Sequence, residues 1–233
     1  EFVAPIDNYV SKDPEGFLAN PTHLEMVMYM INIFLSDDEA VEKESQSAVK
    51  LASILLQYLR GRIDNLMPKL LELIIGRLSK ATTTALKILL LDAIGDALIY
   101  NTELTLNFME QTKCTTSVFG LWLNTIPKFQ RLYGKKLTVL ALSTLVGRDM
   151  TTLPSAIQAN IGQIISTCVK MLIQMREQRI QEKQAEEEEE RERQELLSNI
   201  QNGYTGDDED DDEDEDFQRQ VADDDDDAGG IDV

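Results

Sequence analysis

Apolar side chains recur three and four residues apart along most of the first 175 residues of the chain, and no segment sustains an alternation of apolar and polar residues. This spacing is that of the buried face of an α-helix, whereas a half-buried β-strand needs a period of two. The pattern therefore predicts an all-α fold. The predicted helices cover about 22–34, 36–60, 64–78, 83–100, 104–109, 116–133 and 135–146, followed by one that begins at Pro154 and Ser155.

Several helix ends carry local signals. Thr22 with Glu25, and Ser36 with Glu39, have the spacing of a capping box, which predicts a helix start at each serine or threonine. Gly61 is placed to end the second helix. Turns between the helices are therefore expected to be short.

The predicted helices fall into pairs. Pair starts lie near Thr22 and Asp64, about 40 residues apart, which is the period of HEAT and armadillo hairpins. In such solenoids each hairpin buries its apolar face against the next. We expect a HEAT-type solenoid, although a plain helical bundle would also give amphipathic helices and short loops.

Charge divides the chain into a body and a tail. Residues 1–176 carry 17 acidic and 17 basic side chains, while residues 177–233 carry 25 acidic and 5 basic side chains. We predict helical repeats at 1–175, a charged helical extension at 176–199 and a disordered acidic tail at 200–233. The tail has too few apolar residues to offset the entropy lost on ordering.

The residue inventory argues against catalysis. The single histidine, His23, lies at a predicted helix start and reads as a surface residue, and Cys114 and Cys168 stand far apart, as packed thiols do. No glycine-rich phosphate loop is present, and the acidic runs lack calcium-loop spacing. We expect no enzyme activity, cofactor or metal. No uninterrupted apolar stretch of about 18 residues is found, so no membrane span is expected.

Two polar features of the body have open interpretations. Asp92 and Asp96 lie one turn apart on the helix predicted at 83–100 and could face a concave solenoid surface, although ordinary solvent exposure is favoured. The body's basic cluster is small, and we interpret it as a solvated turn and not as a nucleic-acid site. Its members are Lys128, Arg131, Lys135 and Lys136.

An aromatic stripe is predicted on the helix at 116–133. It would be available for binding a partner, but a hairpin core or stacking interface is the commoner use of such a stripe and is favoured here. Its members are Phe119, Trp122, Phe129 and Tyr133.

The tail is the strongest functional signal, because it holds fifteen carboxylates within 21 residues. They create a negative potential that attracts basic surfaces and is damped by salt. The tail is either an arm that captures basic proteins or a solubilising segment without specific contacts. The candidate cargo-binding residues are Asp207, Asp208, Glu209, Asp210, Asp211, Asp212, Glu213, Asp214, Glu215, Asp216, Asp223, Asp224, Asp225, Asp226 and Asp227.

Several stretches, taken in order, resemble the C-terminal part of importin-β-type nuclear transport receptors (karyopherins) of the importin-seven/eight kind. The order of the stretches carries the resemblance, since none is diagnostic alone. They are Leu-Glu-Met-Val-Met-Tyr-Met at 24–30, Arg-Gly-Arg-Ile-Asp at 60–64, Ala-Leu-Ile-Tyr-Asn-Thr at 97–102, Leu-Trp-Leu-Asn at 121–124, Lys-Leu-Thr-Val-Leu-Ala-Leu at 136–142 and the acidic stretch after the last apolar helix.

The resemblance implies a HEAT-repeat superhelix that carries basic cargo, such as ribosomal proteins or histones, through the nuclear pore. It implies Ran GTPase and nucleoporins as partners and movement between cytoplasm and nucleus. The charge pattern and the lack of a long apolar stretch predict no direct nucleic-acid or membrane binding. Family members bind Ran mainly through N-terminal repeats, so no Ran-contacting residue is assigned here. Two rival functions stay open: an acidic chaperone for basic nuclear proteins without a transport cycle, and a HEAT-type scaffold whose tail serves solubility.

Overall fold

A computed structural model describes residues 2–37 and 41–203, and every regular element in these ranges is helical. The described part of the chain contains ten α-helices, with short 3₁₀ turns at Asp64–Leu66, Ile126–Lys128 and Met150–Thr152. The helices are α1 (Val3–Lys12), α2 (Pro14–Ala19), α3 (Pro21–Ser36), α4 (Glu42–Tyr58), α5 (Met67–Lys80), α6 (Thr84–Tyr100), α7 (Thr102–Gln111), α8 (Thr115–Thr125), α9 (Leu132–Val146) and α10 (Ser155–Gly203).

The chain divides into two compact units, Glu1–Arg179 and Ile180–Val233. Within the first unit, α4 packs on α1, α3 and α6, and α6 packs on α4, α5, α7 and α9. The helices thus stack in a solenoid-like arrangement of neighbouring pairs, and the predicted all-α HEAT-type fold is confirmed. Helix α6 is central, since all its residues from Leu90 to Leu98 are buried.

Two of the predicted helix starts are wrong. The cap of α3 is Asn20, whose side-chain oxygen accepts a hydrogen bond from the Thr22 amide at 3.1 Å, with Pro21 in the first turn. Asparagine is a strong N-cap residue and proline favours the first helical position, so this pair outcompetes the box proposed for Thr22. Ser36 is the last residue of α3, and α4 begins only at Glu42.

Other predicted ends agree with the structure. Thr83 caps α6 by accepting a hydrogen bond from the Leu86 amide at 3.2 Å. Gly61 follows α4 with a φ of 75°, a left-handed conformation that glycine adopts without steric cost. The helix start predicted near Thr83 and the helix end predicted near Gly61 therefore agree with the structure.

The helix predicted at 116–133 is interrupted. Helix α8 ends at Thr125, and a 3₁₀ turn containing Pro127 separates it from α9. Proline has no amide hydrogen to donate and its ring clashes with the preceding turn, which explains the break. The segment 128–131 between the two helices is consequently free to shape a groove instead of continuing the hairpin.

Helix α10 carries the predicted charged extension at 176–199 as continuous helix. In its first half Ile157, Ile164 and Cys168 join the core of the first unit. In the second unit, the residues from 180 to 199 are all exposed. The predicted domain boundaries at 175 and 199 remain predictions, and residues 204–233 of the predicted tail lie outside the described residues.

Helix α10 is also the one helix in the described ranges that is long and apolar enough, by length and composition, to cross a membrane, over Ser155–Asn199. The criterion of an uninterrupted apolar stretch excluded it, because Gln158, Gln163 and Lys170 lie along it. Length and composition alone do not indicate a membrane protein, since core helices pass the same test. The expected absence of a membrane span therefore stays a prediction.

One hydrogen-bonded tyrosine joins two hairpins of the core and gives a first test of the fold. The Tyr100 hydroxyl donates to Asp64 Oδ1 at 2.5 Å and accepts from the buried Ile63 amide at 3.1 Å. Tyr100→Phe leaves that amide without its partner, so we expect a loss of about 1 to 3 kcal/mol in unfolding free energy. Urea unfolding measures it, and an unchanged midpoint would contradict the structural role assigned to the hydroxyl.

Candidate functional site

A groove of about 700 Å³ lies between α1, α4, α6 and the segment that leads from α8 into α9. Most of its lining comes from α4 and α6, and residues 128–131, Tyr133 and Gly134 contribute the rest together with Val3 and Asp7 of α1. Apolar side chains, including Val49, Ile54 and Leu89, line part of it. A groove of this size is within the range of ligand sites in proteins.

Two carboxyl groups line this groove from the α6 wall. Asp92 is 8% exposed and Asp96 is 4% exposed, so the favoured expectation of ordinary solvent exposure is wrong. The physical reason is that α6 is apolar on all sides and packs against four other helices, which leaves it no solvated face. The two acids instead face a cavity within the helical stack.

One glutamine links the acid pair to two other helices. The Gln57 side-chain nitrogen, on α4, donates to Asp96 Oδ1 at 2.9 Å and to the hydroxyl of Tyr133, on α9, at 2.7 Å. The other oxygen of Asp96, Oδ2, and Asp92 Oδ1 are both buried without a hydrogen-bond partner among the described residues. Unpaired buried carboxyl oxygens are rare in folded proteins and are costly.

The electrostatics of the pair follow from this burial. Burial raises the pKa of Asp92 to about 7, and the neighbouring Asp96 charge adds to the increase. Burial also raises the pKa of Asp96, to about 6, although hydrogen bonds from Ser53 and Gln57 act in the opposite direction. Burial likewise raises the pKa of Tyr133, and the Asp96 charge adds to it. Near neutral pH the pair therefore gains or loses a proton readily.

A glycine allows the start of α9 to approach the acids. A Cβ atom placed on Gly134 would lie 3.1 Å from Phe129 Cδ1 and 3.5 Å from both oxygens of Asp92. Any larger side chain would enter the groove at this point. The small residue therefore keeps the space beside Asp92 open.

The predicted aromatic stripe does not exist as one helical face, because Phe129 and Tyr133 lie beyond the end of α8. Phe119 and Trp122 are buried with ring centroids 5.9 Å apart, which confirms the favoured core interpretation for these two. Phe129 is also buried, whereas Tyr133 is 59% exposed and gives its hydroxyl to the groove.

Two of the four residues of the predicted basic cluster line the groove, and the other two do not. Lys128 and Arg131 are exposed, as expected for a solvated turn, but both also border the groove. Lys135 and Lys136 are not among its lining residues. Two exposed cationic side chains thus border the same groove as two buried carboxyl groups.

The candidate cargo-binding acids at 207–216 and 223–227 all lie outside the described residues. Their role in cargo binding stays a prediction.

The remaining candidates have structural positions. His23 is half-buried, with Nδ1 3.2 Å from the Phe17 carbonyl oxygen and its ring 5.6 Å from that of Tyr9. Cys114 and Cys168 are both free thiols. No group of three or more histidine, cysteine or acidic residues in the described ranges is placed to hold a metal ion.

Sequence reasoning missed Gln57, Tyr133 and Gly134 as members of one site. They come from positions up to 76 residues apart, so no local pattern joins them. The signal that was available is the pair of acids in an otherwise apolar helix. Two charges on a helix without a polar face indicate buried, partnered or ligand-facing acids.

The helical stack and the carboxyl-lined groove define the class of the protein as an all-α, HEAT-type helical-repeat protein without a recognisable catalytic constellation in the described residues. Sequence comparison with curated proteins shows which helical-repeat proteins the chain is similar to. The chain is 35% identical over 150 residues to the probable importin-7 homolog of Dictyostelium discoideum, covering 62% of this chain and 14% of that protein.

Two further relatives extend the match. The importin beta-like SAD2 homolog of Arabidopsis thaliana is 26% identical over 194 residues, covering 78% of this chain and 18% of that protein. Human importin-8 is 27% identical over 180 residues, covering 74% of this chain and 17% of that protein. The chain thus spans less than a fifth of the length of these relatives. No protein-family profile matches it, and no solved structure matches it.

The matched residues are homologous to importin-β superfamily receptors of the importin-7/8 type, and the resemblance seen in the sequence is confirmed over that part of the chain.

Proposed function

We propose that the chain is part of a nuclear import receptor that binds basic proteins, such as ribosomal proteins or histones, for Ran-dependent transport through the nuclear pore. The observation that carries the proposal is its similarity to importins of three different organisms, which extends over 62 to 78% of its residues. The receptor would work by non-covalent binding, without enzyme activity or a cofactor. It would move between cytoplasm and nucleus and contact nucleoporins in transit.

The acidic tail is the proposed cargo-attracting element, from the charge of its sequence alone. Each exposed contact between an acid and a base contributes only about 0.2 to 1 kcal/mol, so useful affinity needs many contacts together. Such binding would act at long range and would weaken as salt shortens the screening length to about 3 Å at 1 M. The helical body would supply the shape against which a captured cargo settles.

The tail is tested by neutralising its fifteen acids at 207–216 and 223–227 to asparagine and glutamine in the 233-residue chain. We expect binding to a purified linker histone to weaken by about tenfold or more at low salt, because the steering potential is lost. Isothermal titration at increasing salt measures the dissociation constant, and the difference between the two chains should shrink as salt rises.

A matched control separates the tail from general negative charge. Neutralising only the five aspartates at 223–227 is compared with neutralising the five glutamates at 186–190, which lie on α10. The charge change is the same in both variants. Equal losses of affinity would remove the tail from the mechanism, and so would an unchanged affinity of the fifteen-acid variant.

Ran dependence is tested on the full-length receptor that contains this chain. Ran loaded with GTP should release the bound histone from a transport receptor, whereas an acidic chaperone or a scaffold should retain it. Retention of histone at saturating Ran-GTP would exclude the transport cycle while leaving the binding itself intact.

A further inference from the structure

The groove holds two carboxyl oxygens that the described protein does not satisfy, Asp92 Oδ1 and Asp96 Oδ2. Both side chains are more than nine-tenths buried, and both line the groove. No ion pair found in the described residues involves either acid. Asp96 has a partner for its other oxygen, Gln57, but each acid keeps one unsatisfied oxygen next to an open cavity, and a hydrogen-bond donor or a cation would satisfy both.

The chemistry of the site favours an organic cation over a metal ion, because no group of three or more histidine, cysteine or acidic side chains in the described residues is placed to hold a metal ion. The two free oxygens belong to carboxyl groups one helical turn apart on α6. A guanidinium group presents five donors in a planar fork and can bond both, whereas an ammonium group is compact and more strongly hydrated. Arginine therefore fits better than lysine.

The walls also suit an arginine side chain. The methylene groups of that arginine would lie against Val49, Ile54 and Leu89, and its guanidinium group would reach the aromatic rings that line the groove. Guanidinium groups stack favourably on aromatic faces. The aromatic residues lining the groove are Tyr58, Phe129 and Tyr133.

The charged residues that border the groove determine which residue can stand next to that arginine in the bound partner. Lys128 and Arg131 border the groove and are exposed, and Lys50 lies on the facing wall. These cations repel a run of basic residues but attract a carboxylate next to the inserted arginine. The site is therefore distinct in specificity from the acidic tail, which attracts any basic surface.

We propose that the groove between α4, α6 and α9 binds a partner segment in which a single arginine is followed by an acidic residue, with the guanidinium held by Asp92 and Asp96 and the acid held at the rim by Lys128 and Arg131. This inference concerns a second site and does not rest on the proposed role of the tail.

Proton release should accompany binding. A bound guanidinium favours the ionised acids, so the affinity should rise as the pH increases through the raised pKa of Asp92, about 7. The other ionisable groups facing the pair come from every neighbouring element of the groove. They are Asp7 on α1, Lys50 and Tyr58 on α4, Lys128 and Arg131 on the connecting segment, and Tyr133 on α9.

The test uses the full 233-residue chain and three synthetic peptides of eight residues. The first contains one arginine followed by aspartate in a glycine–serine background, the second has citrulline in place of arginine, and the third has lysine in place of aspartate. Citrulline has almost the shape of arginine but no charge. Heteronuclear NMR titration at pH 6, 7 and 8 gives the dissociation constant of each peptide.

We expect the first peptide to bind at least tenfold more tightly than the other two at pH 8, with an affinity that rises severalfold from pH 6 to pH 8. In the double variant Asp92→Asn and Asp96→Asn the advantage over citrulline should disappear. The matched control Glu103→Gln removes an exposed acid from α7, away from the groove, and should bind like the parent chain.

Three outcomes would overturn the proposal: equal binding of the arginine and citrulline peptides, tighter binding of the lysine-containing peptide, and unchanged binding by the double variant. Equal binding of the arginine and citrulline peptides would show that the arginine charge contributes nothing, and tighter binding of the lysine-containing peptide would point to the tail as the cation-attracting element. Thermal unfolding of each variant verifies that it is folded, and Arg131→Gln offers a second variant that should weaken only the arginine–aspartate peptide. A failure here leaves the histone-binding test of the tail unaffected.

Discussion

Replacing both Asp92 and Asp96 by asparagine should raise the free energy of unfolding at pH 8 by several kcal/mol, since both acids have raised folded-state pKa values and each pKa unit of difference between folded and unfolded states corresponds to about 1.4 kcal/mol. At pH 8 the folded parent chain holds two buried, adjacent negative charges. Asparagine has nearly the same shape, keeps an oxygen that can accept the hydrogen bond of Gln57, and has no charge to desolvate. Urea unfolding followed by circular dichroism measures the difference.

The same pair makes the stability of the parent chain depend on pH. The folded-state pKa values, about 7 and about 6, lie above the ordinary value of 3.8, so the folded protein keeps protons that the unfolded chain releases. The stabilisation is complete below pH 4 and is lost as the pH rises through 6 and 7. The unfolding free energy should therefore fall between pH 5 and pH 8 in the parent chain and stay nearly level in the double variant. Parallel pH profiles for the two chains would refute the assignment.

The second large effect is expected at Trp122, which is 1% exposed in the core. Trp122→Ala removes the largest buried side chain and leaves a cavity, so we expect a loss of about 3 to 5 kcal/mol in unfolding free energy. Trp122 is the single tryptophan of the chain, so circular dichroism and not fluorescence must follow the unfolding.

Trp122→Phe is the matched control for that substitution. The indole nitrogen of Trp122 is buried without a hydrogen-bond partner among the described residues, so phenylalanine removes an unsatisfied donor along with part of the ring. The loss should be well below that of the alanine variant. A loss as large as that of alanine would mean that the indole nitrogen has a partner, such as a buried water molecule, that stabilises the fold.

The extents of the helices were largely predictable, because apolar spacing marks them directly. Helix α6 is the best example, since Thr83 and the continuous apolar residues after it locate its start within one residue. The predicted cap of α3 was wrong because two polar residues flank Pro21, and either could cap the helix. The backbone geometry decides for Asn20 over Thr22. Pro127 could have revealed the end of α8, but the apolar residues around it continue the helical spacing.

The candidate site was only half visible in the sequence. The spacing of Asp92 and Asp96 was evident, but their burial depends on α4 and α9 covering the same helix from two sides. The contribution of Gln57 and Tyr133 depends on how neighbouring hairpins tilt, and that angle is not encoded in any one segment. Local sequence specifies helices, whereas the environment of a polar group is specified by contacts between distant residues.

The Gln57 amide has a use beyond its role in packing. Its nitrogen touches groups on α6 and α9 at once, so the two amide protons sense the distance between three successive layers of the stack. A change in the spacing of α4, α6 and α9 would lengthen one of these two hydrogen bonds. The side-chain amide resonance of a single glutamine would therefore report such a change in the packing of the three helices.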